Sequence, residues 1–336
     1  MDRRVRSLRA LEALLLRDDE AALEAARRVD DWPLLLVRAR HHAVAGHLWA
    51  RTRALGLSLP SDVEATLARR DAEDELWFLH LSASLAELSA ALTRAGVPHV
   101  ALKGPALAVR VASPPHLRRS TDLDLLVAPE DLAPAIRAVE RLGYARLRGS
   151  HLREHTATHL AHETAPGLDL HHAAHVGLGR IVPASALLDG ARTVSVGGVE
   201  VGVPPAAEEL AYLALHAAGH RFERLAWLLD ISQLLVGGEV TREAAHEAAL
   251  RLGAARALSM THAELDRARG AGGRHPWARL VTLDEERAWS SLARAGLNLL
   301  TSVALADDPV DGARAARGKI ARDLAPRLRA LAGRER

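Results

Sequence analysis

The chain has 336 residues, of which 49% are hydrophobic and 3% aromatic, and its formal net charge at pH 7 is +2. A sizeable core packed by Leu, Val and Ala is expected, whereas charge this close to neutral does not predict nucleic-acid binding through bulk charge. Cysteine is absent, which excludes disulfides and thiolate metal sites. No run of 18 apolar residues and no apolar signal segment is found, so a cytoplasmic protein without a membrane span is expected.

The first 95 residues are predicted to be helical. Apolar residues recur at helical spacing, as at Leu11 and Leu14. A Pro-Ser-Asp run at 60–62 is typical of a helix start, and the helix that follows is predicted to end near Gly96. We therefore assign residues 1–95 to an N-terminal helical lobe.

From residue 96 the pattern changes to alternating strands and helices, which predicts an α/β core over residues 96–204. Its predicted strands are 98–102, 122–127, 144–147, 158–162 and 168–172, with a hairpin over 193–203 and helices over 106–111 and 129–142.

Residues 205–336 are predicted to form a C-terminal helical lobe. Its last stretch, 314–336, has the pattern of a basic amphipathic helix. A solvated helix face is the simpler interpretation, and a surface for nucleic acid or an acidic partner stays open as the alternative.

Two aspartates interrupt the predicted strand 122–127. Asp122 and Asp124 are two residues apart, so on a strand both carboxylates leave the same face, with Cβ atoms about 7 Å apart. Leu123 and Leu125 point to the opposite face, where a core would hold them. Paired carboxylates at a strand end are suited to one or two hard cations such as Mg²⁺.

Other polar residues surround this strand in the sequence. Lys103 is one of only two lysines in the chain and is followed by Gly104, Arg118 lies four residues before Asp122, and an Asp-Leu-His run begins at Asp169. Taken singly, each has an ordinary structural explanation as a turn, a surface charge or a buried polar group.

Together these residues form an ordered pattern: Leu102-Lys103-Gly104, then Arg118-x-x-x-Asp122-x-Asp124, then Asp169-Leu170-His171. This pattern resembles a family of uncharacterised bacterial nucleotidyltransferases within the DNA polymerase β-like superfamily. The resemblance covers about residues 95–236 and includes His216, His220 and Asp230 of the helical part. It implies an α+β fold with a polymerase β-like core, in which a small mixed sheet is flanked by N-terminal and C-terminal helical lobes.

The resemblance also implies a function. Asp122, Asp124 and Asp169 are expected to be catalytic and to hold Mg²⁺ or Mn²⁺, since two cations held by carboxylates can clamp an in-line displacement at phosphorus. The residues expected to contact the nucleotide are Lys103, Gly104, Arg118, Ser120, His171, His216, His220 and Asp230. The substrate is an NTP such as ATP, and the acceptor is a hydroxyl on a small molecule, a peptide or protein, or an RNA end. DNA and a membrane are not expected as partners.

One departure from the superfamily leaves alternatives open. Gly104 is followed by Pro105, where the superfamily usually has serine, so a hydroxyl and a backbone donor are missing. A non-catalytic or toxin–antitoxin-like regulatory module is one alternative. A metal-dependent phosphohydrolase is another, built on the histidines at 151, 155, 159, 162, 171, 172 and 175. Trp227 is predicted to be a core residue rather than a stacking surface.

Overall fold

The computed structural model describes residues 3–147, 156–177, 180–271, 299–300, 303 and 306–320. The chain begins with a series of helices separated by short turns. They are α1 Arg3–Leu16, α2 Asp19–Arg27, α3 Trp32–His41, α4 Ala45–Ala54 and α5 Ser61–Arg94.

Local capping explains where several of these helices begin and end. The side chain of Asp18 accepts a hydrogen bond from the Ala21 backbone at the start of α2, and Asp31 does the same for Leu34 at the start of α3. The 34-residue α5 ends just before Gly96, which has a φ of +68°. The helical prediction for this region is confirmed.

A five-stranded mixed sheet forms the centre of the α/β region. Its strands are β1 His99–Ala101, β2 Leu123–Val127, β3 Ala145–Arg146, β4 Ala157–Ala161 and β5 Leu168–His171. The spatial order is β1-β2-β5-β4-β3, with β2 and β5 parallel and the other pairs antiparallel. Each of these strands overlaps a predicted one.

Shorter elements connect and cover the sheet. They are α6 Gly104–Val111, α7 Leu132–Glu140, the β6 Ala173–Gly177 and β7 Arg180–Pro183 hairpin, α8 Ser185–Leu188, and the β8 Arg192–Val196 and β9 Val199–Val203 hairpin. The second hairpin turns at Gly197 and Gly198, both at positive φ, as the sequence predicts. The first hairpin was not predicted.

The chain then returns to helices. They are α9 Ala206–Gly219, α10 Leu225–Val236, α11 Arg242–Leu252, α12 Ala255–Ala268 and a further helix over Pro309–Lys319. The predicted basic helix over 314–336 lies outside the described residues beyond position 320. His151 and His155, two of the histidines of the phosphohydrolase alternative, also lie outside the described residues.

Two hydrophobic cores hold the molecule together. The first is shared by N-terminal and C-terminal helices, because Leu11 and Leu35 pack in the same cluster as Leu210 and Leu265. The second lies between the sheet and the two helices α5 and α7. The predicted α+β class, with a small mixed sheet and helical regions before and after it, is confirmed. The two predicted helical lobes pack against each other, and domain boundaries near residues 95 and 204 stay a prediction.

Helix α5 is also long and apolar enough, by length and composition alone, to cross a membrane. A single helix of this kind is weak evidence, because core helices of soluble proteins meet the same criterion. In this molecule Leu81, Leu85, Leu88 and Leu92 on α5 pack in the second core.

Candidate active site

The strand pair at the centre of the sheet positions the predicted acidic residues. The parallel register of β2 and β5 places Asp124 beside Asp169 and Leu126 beside His171. Leu123 and Leu125 pack in the core beneath the sheet, whereas Leu126 packs in the helical core on the other side. Because side chains alternate along a strand, Asp124 faces the helical side, where the polar residues collect.

Asp124 is the most highly connected carboxylate of the group. One of its oxygens, Oδ1, lies 3.3 Å from the ammonium nitrogen of Lys103 and 3.0 Å from Nε2 of His171. Burial alone would raise the pKa of Asp124, but the Lys103 ammonium and the His171 imidazole hold it well below its usual range. Burial alone would lower the pKa of Lys103, yet the Asp124 carboxylate raises it above its usual value. The pair is therefore charged on both sides at neutral pH.

Asp122 precedes β2 by one residue and stands in a more negative environment. The Thr121 hydroxyl donates to its Oδ1 over 3.2 Å. Burial, followed by the negative charges of Asp124 and Asp169, raises the pKa of Asp122. Three carboxylates therefore lie close together, and their negative charge exceeds the positive charge of the groups that contact them. Such an excess suits a site for an added cation.

Asp169 is held by His159, which the sequence interpretation named only among the histidines of the phosphohydrolase alternative. The antiparallel register of β4 and β5 places His159 opposite Asp169, and His159 Nδ1 forms a short contact with Asp169 Oδ1. The predicted strand 158–162 put His159 on a strand, but strand register cannot be read from a single sequence. This contact fixes the orientation of the Asp169 carboxylate.

The donor atoms of Asp124, Asp169 and His171 all lie within 4.8 Å of one another. Carboxylate oxygens suit Mg²⁺ or Mn²⁺, so Asp124 and Asp169 fit the predicted cation, with His171 hydrogen-bonded to Asp124 beside them. Asp122, also predicted as a ligand, lies beside this group and not within it. Among the described residues, this is the only group of three such donors, and it contains one histidine. His162 instead accepts from the backbone of Thr164 and Ala165.

The N-terminus of α6, which follows β1 in the chain, lies beside the carboxylates. Gly104 adopts a φ of +65°, a conformation that favours glycine, and Pro105 follows in the first helical turn. Lys103 precedes the helix and contacts Asp124. A helix N-terminus next to a lysine is a favourable place for an anion, and Pro105 removes only one of its donors.

Arg118, which the resemblance places among the nucleotide contacts, binds a buried carboxylate of the helical region. Its guanidinium donates to both oxygens of Asp230, over 2.8 and 3.0 Å, and to the Ser120 hydroxyl over 2.8 Å. Arg118 is 8% exposed and Asp230 is 3% exposed. Burial raises the pKa of Asp230, and the charge of Arg118 opposes this shift. Arg118, Ser120 and Asp230 thus join the loop before β2 to α10.

The helical wall of the site carries an aromatic cluster. The ring centroids of His216 and His220 are 4.7 Å apart, and those rings lie 5.1 and 5.2 Å from Trp227. Trp227 is half-buried and, together with His216, lines a cavity that also contains Asp124. The prediction that Trp227 belongs to the core is therefore only partly right, because one part of its ring faces the cleft.

Some of these groups line a cleft of about 300 Å³, whereas Asp169, His171, His220 and Asp230 do not line it. Its walls contain Lys103, Gly104, Arg118, Ser120, Asp122, Asp124, His216 and Trp227, together with four arginines that the sequence interpretation did not place there: Arg40, Arg70, Arg119 and Arg224. They come from α3, α5, the loop before β2 and the start of α10. Arginine is this chain's general basic residue, so no sequence signal separates these four from the others.

Residues 29–263 match the family of uncharacterised nucleotidyltransferases. The chain belongs to this family. The match confirms the predicted family and, at the level of reaction class, a nucleotidyltransferase. No curated protein matches the chain.

Among solved structures, the chain is similar to the antibiotic-resistance factor ANT(2'')-Ia, known from a solution structure. The two are 14% identical, the similarity covers 56% of this chain and 97% of the other, and the TM-score is 0.39.

Proposed function

We propose that the protein transfers a nucleoside monophosphate from an NTP to a hydroxyl-bearing acceptor, in a Mg²⁺-dependent reaction that releases pyrophosphate. The observation that carries this proposal is the in-register pair of Asp124 and Asp169, with Asp122 beside them; Asp122, Asp124 and Lys103 line the cleft. Phosphoryl transfer depends chiefly on positioning and on neutralised charge, and this cleft offers both.

Asp124 and Asp169 are the residues that would hold the divalent cation, with His171 and Asp122 next to them. When bound, the cation neutralises phosphate oxygens and stabilises charge that develops at phosphorus. The Lys103 ammonium occupies this region beside Asp124.

The triphosphate is assigned to the start of α6 and the basic wall. We assign the binding of phosphate oxygens to the backbone at Gly104 and to the Lys103 ammonium. Arg40 and Arg224 are exposed in the cleft and form no ion pair within the described part of the chain. Arg118 acts indirectly in this proposal, because its hydrogen bonds to Asp230 and Ser120 hold the loop that carries Asp122.

The acceptor oxygen forms the new bond to the α-phosphorus, and the bond between that phosphorus and the oxygen bridging to the β-phosphate breaks. The electron pair of the broken bond leaves with pyrophosphate. We assign the acceptor's proton to Asp169, whose carboxylate is oriented by His159. The nucleotide base is assigned to the aromatic side, where His216 and Trp227 line the cleft and can stack with a base.

The test is transfer of label from α-labelled NTPs, in the presence of Mg²⁺, onto components of a cell extract. Wild-type protein is compared with Asp122→Asn and Asp169→Asn. Asp62→Asn serves as the matched control, since Asp62 is exposed on the first turn of α5. We expect label transfer in the wild type and the control, and none in the two site variants.

The alternatives give different results. NTP binding without label transfer to any acceptor would support the non-catalytic module, and phosphate release without an NTP would support the phosphohydrolase. The expected cytoplasmic location is tested separately by fractionation of cells that produce the protein.

A further inference from the structure

A second cavity lies next to the cleft, on the side of the N-terminal helices. Its volume is about 320 Å³. It is enclosed by α3, the start of α4, the middle of α5 and the loop before β2. Its lining residues are Arg40, Ala43, Ala45, Gly46, Arg69, Arg70, Glu73, Asp74, Leu117 and Arg119.

The two cavities share part of their lining. Arg40, Ala43, Arg70 and Arg119 border both of them. The cleft beyond this boundary contains Asp122 and Asp124. The shared residues place the second cavity next to the cleft, whereas His216 and Trp227 line only the cleft.

The wall of the second cavity carries an excess of positive charge. Four arginines face two carboxylates there, those of Glu73 and Asp74. Arg40 forms no ion pair within the described part of the chain, and Arg69 lies 3.8 Å from Glu73 with both side chains more than half exposed. An exposed pair at this distance contributes little, so Arg69 is available to another anion.

Asp74 gives this wall its fixed geometry. It is only 4% exposed, and it receives a hydrogen bond from Arg70 Nε over 3.1 Å and a short contact from Arg119 Nη1. A buried carboxylate costs free energy unless its partners are well placed. Here its effect is to hold two guanidinium groups in one orientation at the boundary of both cavities.

The floor of the cavity is also tightly built. A Cβ added at Gly46 on α4 would lie 2.8 Å from the Leu117 carbonyl oxygen and 2.9 Å from its Cα. Only a glycine allows α4 to approach the turn Pro115–Leu117 this closely. The second cavity is therefore bounded by packed backbone and not by exposed side chains alone.

We propose that this second cavity is the acceptor site, and that its arginines select a small acceptor that carries an anionic group, a phosphate or a carboxylate, in addition to the reacting hydroxyl. The inference rests on the proposed function, because it names the acceptor class for that same reaction. Guanidinium groups bind phosphate and carboxylate oxygens by paired, charge-assisted hydrogen bonds. A volume of this size suits a small molecule.

The test uses the full chain with Mg²⁺ and a non-hydrolysable α,β-methylene ATP analogue, and measures binding by calorimetry. The probes are glycerol 3-phosphate, glycerate and neutral glycerol. We expect the first two to bind to the analogue-loaded protein without displacing the analogue, and glycerol not to bind. The affinity for glycerol 3-phosphate, compared with the affinity for glycerate, distinguishes a phosphate-bearing acceptor from a carboxylate-bearing one.

Two variants on α5 have opposite expected effects. Arg69→Gln should weaken binding of the anionic probe about tenfold, the size of one lost charge-assisted hydrogen bond, and Glu73→Gln should tighten it about threefold. Arg137→Gln, an exposed arginine on α7, is the control and should change nothing. A general loss of structure would not weaken probe binding in Arg69→Gln and tighten it in Glu73→Gln.

The outcomes separate this inference from the proposed function. If the wild-type protein does not bind the ATP analogue, the proposed function and the acceptor site are both overturned. Normal analogue binding with no effect of Arg69→Gln, or displacement of the analogue by the anionic probes, would overturn the acceptor site alone. Failure of both anionic probes to bind the analogue-loaded protein would likewise overturn it.

Discussion

Two clusters of charged side chains in this molecule, each with a buried carboxylate, look similar and are built differently. One joins Arg110 of α6, Glu209 of α9, Arg192 of β8 and Glu239, with ion-pair distances between 2.7 and 3.1 Å. It contains two cations and two anions, each with a partner. The other cluster is the acidic group of the active site, where three aspartates share one lysine.

The comparison separates a structural role from a functional one. The balanced cluster needs no additional ion, and its residues line neither of the cavities described above. In the acidic cluster, Asp122 has no ion-pair partner among the residues that the structure describes, and it lines the cleft. A buried charge by itself is therefore no sign of a site, whereas an uncompensated charge beside a cavity is.

The largest expected effect concerns Asp124. Replacing it by Asn removes a cation ligand and the partner of Lys103. We expect the turnover rate to fall about a thousandfold, in the range seen when a principal electrostatic contact of a transition state is lost. The rate is measured by label transfer, with a thermal melt to check that the variant is folded. A folded variant with more than a tenth of wild-type turnover would contradict the assignment.

The next effect tests the balanced cluster. Glu209→Gln leaves Arg110 and Arg192 without one partner in a buried place, so the free energy of unfolding should fall by about 3 kcal/mol. Turnover per folded molecule should stay within about threefold of wild type. Urea unfolding and label transfer measure the two quantities.

The neighbouring residue Glu208 offers a matched control for this experiment. It pairs with Arg251, whose side chain is 59% exposed. Glu208→Gln should cost less than about 1 kcal/mol. If Glu209→Gln were no more destabilising than Glu208→Gln, the cluster would not have the structural role given to it here.

A smaller effect is expected at Lys103. Lys103→Met removes the positive charge assigned to the triphosphate, and NTP affinity should fall about thirtyfold, or about 2 kcal/mol. Calorimetric titration with the ATP analogue measures it. Lys319→Met, at the chain's other lysine, serves as the control. Equal affinities in the two variants would exclude Lys103 from the phosphate site.

The smallest effect concerns His47 on α4, whose neighbour is Arg118. Burial, and then the charge of Arg118, lowers the pKa of His47 to about 4. The unfolded chain takes up this proton near pH 6.5, so below that pH the unfolded state binds more protons than the folded state. The free energy of unfolding should therefore fall by about 1 kcal/mol between pH 7 and pH 5.5 because of this residue. His47→Gln should remove that part of the pH dependence, and identical profiles for the two proteins would contradict it.

The sequence predicted the local parts of the site well. Strand 122–127, the helix after Gly104 and the Asp-Leu-His strand were found within one or two residues of their predicted bounds, because alternation and turn residues are local signals. The pairing of Arg118 with Asp230 was not predicted, since these residues are 112 positions apart and several acids were equally good partners in sequence. Periodicity also shows that each terminal helix buries a face, but it does not show that both sets of helices share one core.

The second cavity was missed for the same reason. Its arginines come from α3, α5 and the loop before β2, and they occur in a chain that uses Arg for nearly all its basic residues. Only the fold brings them together. His159 differs, because a strand was predicted there, and the contact with Asp169 then required only the register of β4 on β5.

The length of α5 has a mechanical consequence. At a rise of about 1.5 Å per residue, its 34 residues form a rod about 50 Å long. Leu67 packs in the helical core, and Leu85 packs in the core beneath the sheet. Between these two positions, Asp74 contacts Arg119 and Trp77 donates a hydrogen bond to the Ser120 carbonyl, so α5 also holds the loop before β2. A hinge between the two cores would have to bend this rod, so substrates are expected to enter through rearranged side chains at the rim and not through a clamshell motion.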